Sequence, residues 1–129
     1  MLTREEILAA RDLDSEVVDV DEWGGKVRVG VMGGAAREKM MDALSEPRKV
    51  SEFHALMVAG TFVDDSGAPI FGESDLVAIA HKNPEVLGRL VDVAMRINKI
   101  GAGAVEAEEK NSEAATNASS GSGSRASSE

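Results

Sequence analysis

The most constraining stretch of the sequence is VVDVDEWGGKVRVGVM, residues 17–32, which alternates as a β-hairpin does. A two-residue turn at Gly24-Gly25 suits the positive φ angles of a primed turn. This turn predicts that Val20 lies opposite Val29. One face of the ribbon then carries only valines: Val18, Val20, Val27, Val29 and Val31. The pattern predicts a ribbon that buries this face, and a one-residue slip would expose it.

The other face of the ribbon is charged, and the same turn pairs Asp21 with Arg28 and Trp23 with Lys26 across the strands. Gly33-Gly34 ends the ribbon. Because an isolated two-stranded ribbon is marginally stable in water, it must pack on helices or gain further strands.

Helical patterns occupy most of the remaining chain. A capping box, Thr3 to Glu6, begins a short helix that ends near Leu13, and Asn83-Pro84 begins a longer one that stops by Gly101. Other predicted helices cover residues 35–46, 48–61, 74–82 and 104–110, and Phe62-Val63 with Ile70-Phe71 predicts a second, short hairpin. The fold class is therefore α-rich α+β, with an N-terminal β-hairpin packed on a small helical domain.

The C-terminal segment has a different composition. It reads NSEAATNASSGSGSRASSE from Asn111 onward, with no large apolar residue after Val105. Such a segment cannot bury enough surface to offset the entropy of ordering it. We therefore predict a folded domain over residues 1–111 and a disordered Ser/Gly-rich tail over residues 112–129.

Composition argues against several functional classes. The formal net charge is −9, and the Arg and Lys residues are scattered, which predicts that nucleic acid is not a partner. The absence of Cys excludes disulfides and thiolate chemistry and fits a reducing cytoplasm. No apolar run is long enough for a membrane span, and the N-terminus does not resemble a signal peptide.

Patterns that would indicate catalysis or a cofactor are weak. His54 and His81 have no partner at metal-ligand spacing, so surface or core roles are favoured. DDSGAPIFGESD departs from a calcium loop, and GVMGGAAR is neither a dinucleotide fingerprint nor a P-loop. DDSGAPIFGESD is better explained as a turn before an acidic helix start, and GVMGGAAR as a tight strand-to-helix turn. We predict no enzyme, no cofactor and no metal site.

An adaptable apolar surface is the more promising feature. Trp23 at the hairpin tip is either a partner contact or a ring lying over the stem of Lys26 or Arg28. The six Met residues either fill gaps in the core or supply a surface that accepts partners. The predicted partner-binding residues are Trp23, Val29, Val31, Met40, Met41, Met57 and Met95.

Three segments together resemble one family. They are VVDVDEWGGKVRV, ALMVAGTFVDDSGAPIF and LVDVAMRINKIGAGAVEAEEKNS, in this order and spacing. In combination they are similar to the tail assembly chaperones of long-tailed (siphovirus-like) phages and prophages, the group that includes the lambda tail protein G type. The resemblance extends over about residues 1–112.

The resemblance implies a non-enzymatic assembly factor in the host cell cytoplasm that is absent from the mature virion. Its partners would be the tape measure protein, the tail tube (major tail) protein, a longer frameshifted form of itself and further copies of itself. The family makes the longer form by programmed frameshifting. Glu109-Lys110-Asn111 could be encoded by a slippery heptamer at the expected place, in which case the present chain is the unshifted product.

Other functions compatible with the sequence give different observable outcomes. A structural tail completion or connector protein would remain in the virion. A host-side adaptor or inhibitor would be encoded away from the tube and tape measure genes. An enzyme would need a preformed pocket with converging polar groups.

Overall fold

The computed structural model describes residues 1–100, which form a three-stranded antiparallel sheet and five α-helices. The helices are α1 (Arg4–Ala9), α2 (Gly34–Leu44), α3 (Val50–Thr61), α4 (Leu76–Ala80) and α5 (Pro84–Asn98), and the strands are β1 (Ser15–Val20), β2 (Gly25–Gly30) and β3 (Phe62–Val63). This architecture confirms the predicted α-rich α+β fold. The predicted helix at 104–110, the boundary at residue 111 and the tail lie outside the described residues.

The first helix confirms the predicted capping box. The Thr3 hydroxyl accepts from the Glu6 amide at 3.1 Å, and the Glu6 carboxylate accepts from the Thr3 amide at 2.9 Å. The helix ends at Ala9, earlier than predicted, because Ala10 has extended backbone angles. Every residue of α1 is solvent-exposed, so this helix contributes nothing to the core.

The hairpin forms, but its predicted register is wrong. Val20 pairs with Gly25 rather than Val29, and Asp19 rather than Trp23 pairs with Lys26. The turn has four residues instead of two: Asp21–Trp23 form a 3-10 turn, and Gly24 follows with φ 75°. Gly24 alone adopts a left-handed conformation at this turn, so Gly25 is free to begin β2.

The corrected register keeps the predicted faces for Val18, Val20, Val27 and Val29, but the prediction for Val31 is wrong, because this residue lies beyond the end of β2 and is half-buried. Moving each partner by four positions is an even shift, and side chains alternate with a period of two. Val20 and Val29 are therefore fully buried as predicted, with Val18 and Val27 packed beside them. The alternation determined which face is buried, but it could not distinguish registers that differ by an even number.

A third strand completes the sheet in the order β1-β2-β3. In β3, Phe62 pairs with Val29 and Val63 pairs with Arg28. The chain then turns through Asp64–Gly67 and returns so that Pro69 bridges Val63. The predicted second hairpin therefore exists in a minimal form, and its first strand occupies the edge of β2.

The core lies between the inner face of the sheet and the helices. The largest fully buried side chains are Phe62, Met57, Leu87, Leu90, Val20, Val29, Val58 and Thr61. Helix α5 begins as predicted, because the Asn83 side chain accepts from the Glu85 amide at 2.8 Å and Pro84 occupies the first turn. The other helices begin or end within about two residues of their predicted bounds, which is the usual accuracy for helix ends.

Asn98, at the end of α5, connects this helix to the sheet. Its side chain is buried; Oδ1 accepts from the Met32 amide at 2.7 Å, and Nδ2 donates to the Gly30 carbonyl at 3.1 Å. Nδ2 also donates to the Ala94 carbonyl at 2.8 Å. The amide thus satisfies two backbone groups at and just after the end of β2.

Candidate partner-binding surface

Charged side chains hold the hairpin tip against the helices. Arg89 on α5 donates hydrogen bonds of 2.9 and 2.8 Å to the two carboxylate oxygens of Glu22. These bonds lower the pKa of Glu22 to about 2. The ammonium group of Lys82, which follows α4, lies 5.6 Å from the centroid of the Trp23 ring, within cation–π range. Trp23 thus has a cation–π contact on the ring while it remains 37% exposed.

A second ion pair holds the other end of β1. Arg96 on α5 donates to the two carboxylate oxygens of Glu16 at 3.1 and 2.9 Å. Glu16 precedes Glu22 along the chain, whereas Arg96 follows Arg89 in α5, so the helix runs antiparallel to the strand. Exposed pairs of this kind contribute little stability, but here they specify how α5 is aligned on the sheet.

The structure divides the predicted partner-binding residues into two groups. Val29, Met40, Met57 and Met95 are buried, and they form part of the core of the free chain. Val31 and Met41 are half-buried, and Trp23 is 37% exposed. The role of the seven residues in binding stays a prediction, and the buried four can contact a partner only if the core opens.

Met40 illustrates why the methionines lie inside. It packs over Gly60 on α3, where an added Cβ would meet the Met40 terminal methyl carbon. Glycine at this position leaves room for that methyl group, and the flexible thioether fills the space between α2 and α3. Core filling, one of the two interpretations of the Met residues, therefore describes Met40.

The exposed apolar residues that the prediction missed are concentrated in the first part of the chain. In residues 1–14, here called the N-terminal arm, Leu2, Ile7, Leu8 and Leu13 are each more than half exposed. The sequence predicts an apolar side for this helix but no surface for it to cover.

The outer face of the sheet, opposite the core, is also uncovered by the described helices. Across this face Val17 on β1, Arg28 on β2 and Val63 on β3 form one cross-strand row. Beside the row lies an open groove of about 310 Å³, here called the outer groove. Its lining is Ala10–Ser15, Arg28, Gly30, Val31, Val63 and Asp65–Gly67.

Arg28 is one of the five charged residues that line the outer groove, with Arg11, Asp12, Asp14 and Asp65. It donates to the Ser15 hydroxyl at 3.0 Å and to the Asp65 carboxylate at 3.4 Å. Its Nε atom is buried, and no acceptor in the described part of the chain bonds to it.

The acidic loop after β3 is a turn. The Asp64 carboxylate accepts from the Ser66 hydroxyl at 2.7 Å and from the amides of Ser66 and Ala68 at 2.9 and 3.0 Å. These hydrogen bonds, chiefly that from the Ser66 hydroxyl, lower the pKa of Asp64. Gly67 follows with φ 90°. The turn interpretation made from the sequence is therefore the one that fits.

The two histidines occupy separate environments. His54 on α3 lies beside Gly88 on α5, and its partial burial lowers the pKa of the imidazole, while the nearby Asp92 carboxylate acts in the opposite direction. The His81 ring lies 2.8 Å from the Val77 carbonyl. Within residues 1–100, no group of three or more His, Cys, Asp or Glu side chains is placed to share a metal ion.

Within residues 1–100, each helix is too short or too polar to cross a membrane.

No family model matches the sequence, and no curated protein is significantly similar to it. Among solved structures, the tail assembly chaperone of bacteriophage HK97 has a similar fold, with a TM-score of 0.55 and 18% sequence identity. The match covers 72% of this chain and 94% of that one, and it confirms at the level of the fold the resemblance found in the sequence.

Proposed function

We propose that this chain is a non-enzymatic tail assembly chaperone. It binds the tape measure protein in the host cytoplasm, helps recruit tail tube subunits and leaves before the virion is complete. The observation that carries the proposal is the fold shared with the HK97 tail assembly chaperone over 94% of that chain. The three sequence segments that resemble the family add a second line of support, since that resemblance depends on residue types and spacing rather than on backbone shape.

The surface chemistry supports the same function. A tape measure chain exposes long apolar helical faces before assembly, and a chaperone must cover them without precipitating itself. Trp23 and Met41 are accessible and adaptable contacts for such faces. The net charge of −9 keeps the complex soluble.

The longer frameshifted form is part of the proposal. Glu109-Lys110-Asn111 lies beyond the described residues, whereas the core is already closed by Asn98 and Ile100. Two products that diverge after residue 111 would therefore share this core and differ only in their C-terminal segments. Reading the gene tests this: Lys110 encoded as AAG would remove the slippery site.

Co-expression with a tape measure protein, the proposed partner, tests the main proposal. We expect this partner to be soluble and to co-purify with the chain, and to be insoluble when expressed alone or with an unrelated acidic protein. Trp23→Ala should weaken recovery, whereas Val50→Ala, at another exposed apolar residue, should not. A partner that stays insoluble and fails to co-purify overturns the proposal.

Mass spectrometry of purified virions tests whether the chain is absent from the finished particle. An assembly chaperone is absent or far below one copy per tail ring. Stoichiometric retention would instead identify a tail completion or connector protein.

A further inference from the structure

We propose that the free edge of β1 binds an extended, basic segment of another protein, which adds to the sheet as a further strand. In the order β1-β2-β3, one side of β1 pairs with β2, and no described strand pairs with its other side. The inference goes beyond the proposed function and does not depend on it.

The direction of the hydrogen bonds in β1 follows from one bond just beyond the strand. The Val31 amide donates to the Asp14 carbonyl at 2.8 Å, and these two residues continue the register of β1 on β2. Opposite pairs in an antiparallel ladder alternate between hydrogen-bonded and non-hydrogen-bonded. Every second residue of β1, starting with Glu16, therefore bonds to β2. The residues between them direct their amides and carbonyls away from β2 and are here called the outward residues: Ser15, Val17 and Asp19.

The backbone groups of the outward residues are open to a partner. Within residues 1–100, no hydrogen bond from outside β1 reaches their amides or carbonyls. Proteins commonly protect such an edge with a proline or a bulge. In β1, six consecutive residues pair with β2 without interruption, and none of them is proline. The edge is therefore a regular template on which an extended segment can form backbone hydrogen bonds.

The charge of this edge indicates which segment fits. Residues 12–22, DLDSEVVDVDE, contain six acidic residues and no basic one. Lys26, Arg89 and Arg96 form salt bridges with three of the six. The other three form no salt bridge within residues 1–100 and are Asp12, Asp14 and Asp21. On β2, Arg28 already bonds to the Asp65 carboxylate. The edge therefore has an excess of negative charge, which Lys or Arg side chains on an added strand would offset.

The same charge disfavours a second copy as the added strand. Two copies would bring two acidic 12–22 segments side by side, and each chain has a formal net charge of −9. Like charges on neighbouring strands are destabilising, and charged residues on an edge strand are a common way to prevent edge-to-edge association. The backbone groups thus accept any extended strand, whereas the acidic side chains restrict the partner to a basic one.

Hydrogen exchange measured by NMR on the full chain tests the proposal with a defined probe. The probe is a short synthetic peptide of alternating Lys and Val. In the free chain, the amides of the outward residues should exchange faster than those of Glu16 and Val18. Excess peptide should slow exchange of the outward amides by at least about tenfold. The control is the same peptide with N-methylated backbone amides, which keeps the charge but cannot donate the hydrogen bonds of a strand.

Three results would overturn the proposal. One is equal binding of the N-methylated peptide, which would show charge attraction without strand addition. Another is a peptide that binds but leaves exchange of the outward amides unchanged, because the contact would then lie elsewhere. The third is equally tight binding of a peptide of alternating Glu and Val, since the acidic edge would then not determine the partner.

A substitution at the centre of the edge gives a second measurement. Val17→Pro removes one outward amide and should keep the bonds to β2, because proline is tolerated where the amide of an edge strand faces solvent. Val17→Ala is the matched control, since it shortens the side chain but keeps the amide. We expect Val17→Pro to weaken peptide binding about tenfold relative to Val17→Ala in calorimetric titration.

The unfolding midpoint in urea shows whether Val17→Pro keeps the fold. A folded Val17→Pro chain that binds the peptide as tightly as Val17→Ala contradicts the proposal. If the proline variant does not fold, the exchange measurement on the natural chain decides, because it needs no substitution.

Discussion

The two faces of the small sheet carry the same residue type in opposite environments. Val20 and Val29 on the inner face are fully buried against the helices, whereas Val17 on the outer face is 48% exposed. The inner face is fixed by hydrogen bonds and ion pairs from one helix, α5. The outer face has an open groove and an arginine whose Nε finds no acceptor within residues 1–100. The comparison indicates that the inner face provides most of the stability, whereas Val17 on the outer face stays about half in solvent.

The largest expected difference in the free energy of unfolding is between one substitution in the core and one in the exposed N-terminal arm. Leu90→Ala, at a fully buried position on α5, should lower the free energy of unfolding by about 3 kcal/mol through lost burial and a cavity. Leu8→Ala, at a 69% exposed position of the arm, should change it by less than about 0.5 kcal/mol in the monomer. Urea denaturation at low protein concentration measures both; equal losses would mean that the arm belongs to the core.

A smaller effect tests the connection between α5 and the sheet. Asn98→Ala should cost about 2 kcal/mol, because the Met32 amide and the Gly30 carbonyl lose buried hydrogen bonds. Hydrogen exchange measured by NMR should show faster exchange of the Met32 amide. Asn83→Ala, which removes an exposed cap, is the control and should cost about 1 kcal/mol without affecting that amide.

Substitutions in the hairpin turn test the register of the strands, with a smaller expected loss in the free energy of unfolding. Gly24→Ala should lower stability by about 1 kcal/mol, because φ is 75° at this residue. Gly25→Ala should be less harmful, because Gly25 has no positive φ and nothing lies within 4 Å of an added Cβ. Urea denaturation of the two variants compares them. Equal losses would support the two-residue turn expected from the sequence, in which both glycines have positive φ.

The smallest expected effect concerns the exposed ion pair at the hairpin tip. The Glu22 pKa is lowered from 4.5 to about 2 in the folded chain. Between these values the unfolded state binds more protons, so the contribution is fully present above pH 4.5 and is lost as the pH falls towards 2. Glu22→Gln should therefore flatten the fall of the urea midpoint over this interval. An unchanged slope would show that Arg89 does not hold the carboxylate in solution.

Local patterns predicted much of the fold, and their success has a physical basis. The capping box at Thr3, the Asn83-Pro84 start and the alternating valines each depend on neighbours within a few residues. The register depended on a choice between two turns that both preserve the alternation, and Gly24-Gly25 favoured the wrong one. The alternating valines could not distinguish two registers in which the strands are shifted by an even number of residues.

The candidate surface was less predictable. Burial of Met40, Met57 and Met95 depends on which helices meet, which no local pattern specifies. The position of Asn98 against β2 joins residues 66 and 68 apart in sequence, and only the tertiary structure reveals it. The exposure of the N-terminal arm was equally hidden, because a short amphipathic helix looks the same whether its own domain covers it or not.

The hydrogen bonds of Asn98 have a practical consequence. Lys99 follows with a left-handed φ of 56°, Arg37 donates to the Asn98 carbonyl, and Ile100 is buried. These contacts hold the last described residue, Ile100, against the domain. Each contact described here joins residues within 1–100, so a reporter protein or affinity tag fused after Ile100 would keep all of the residues that make them.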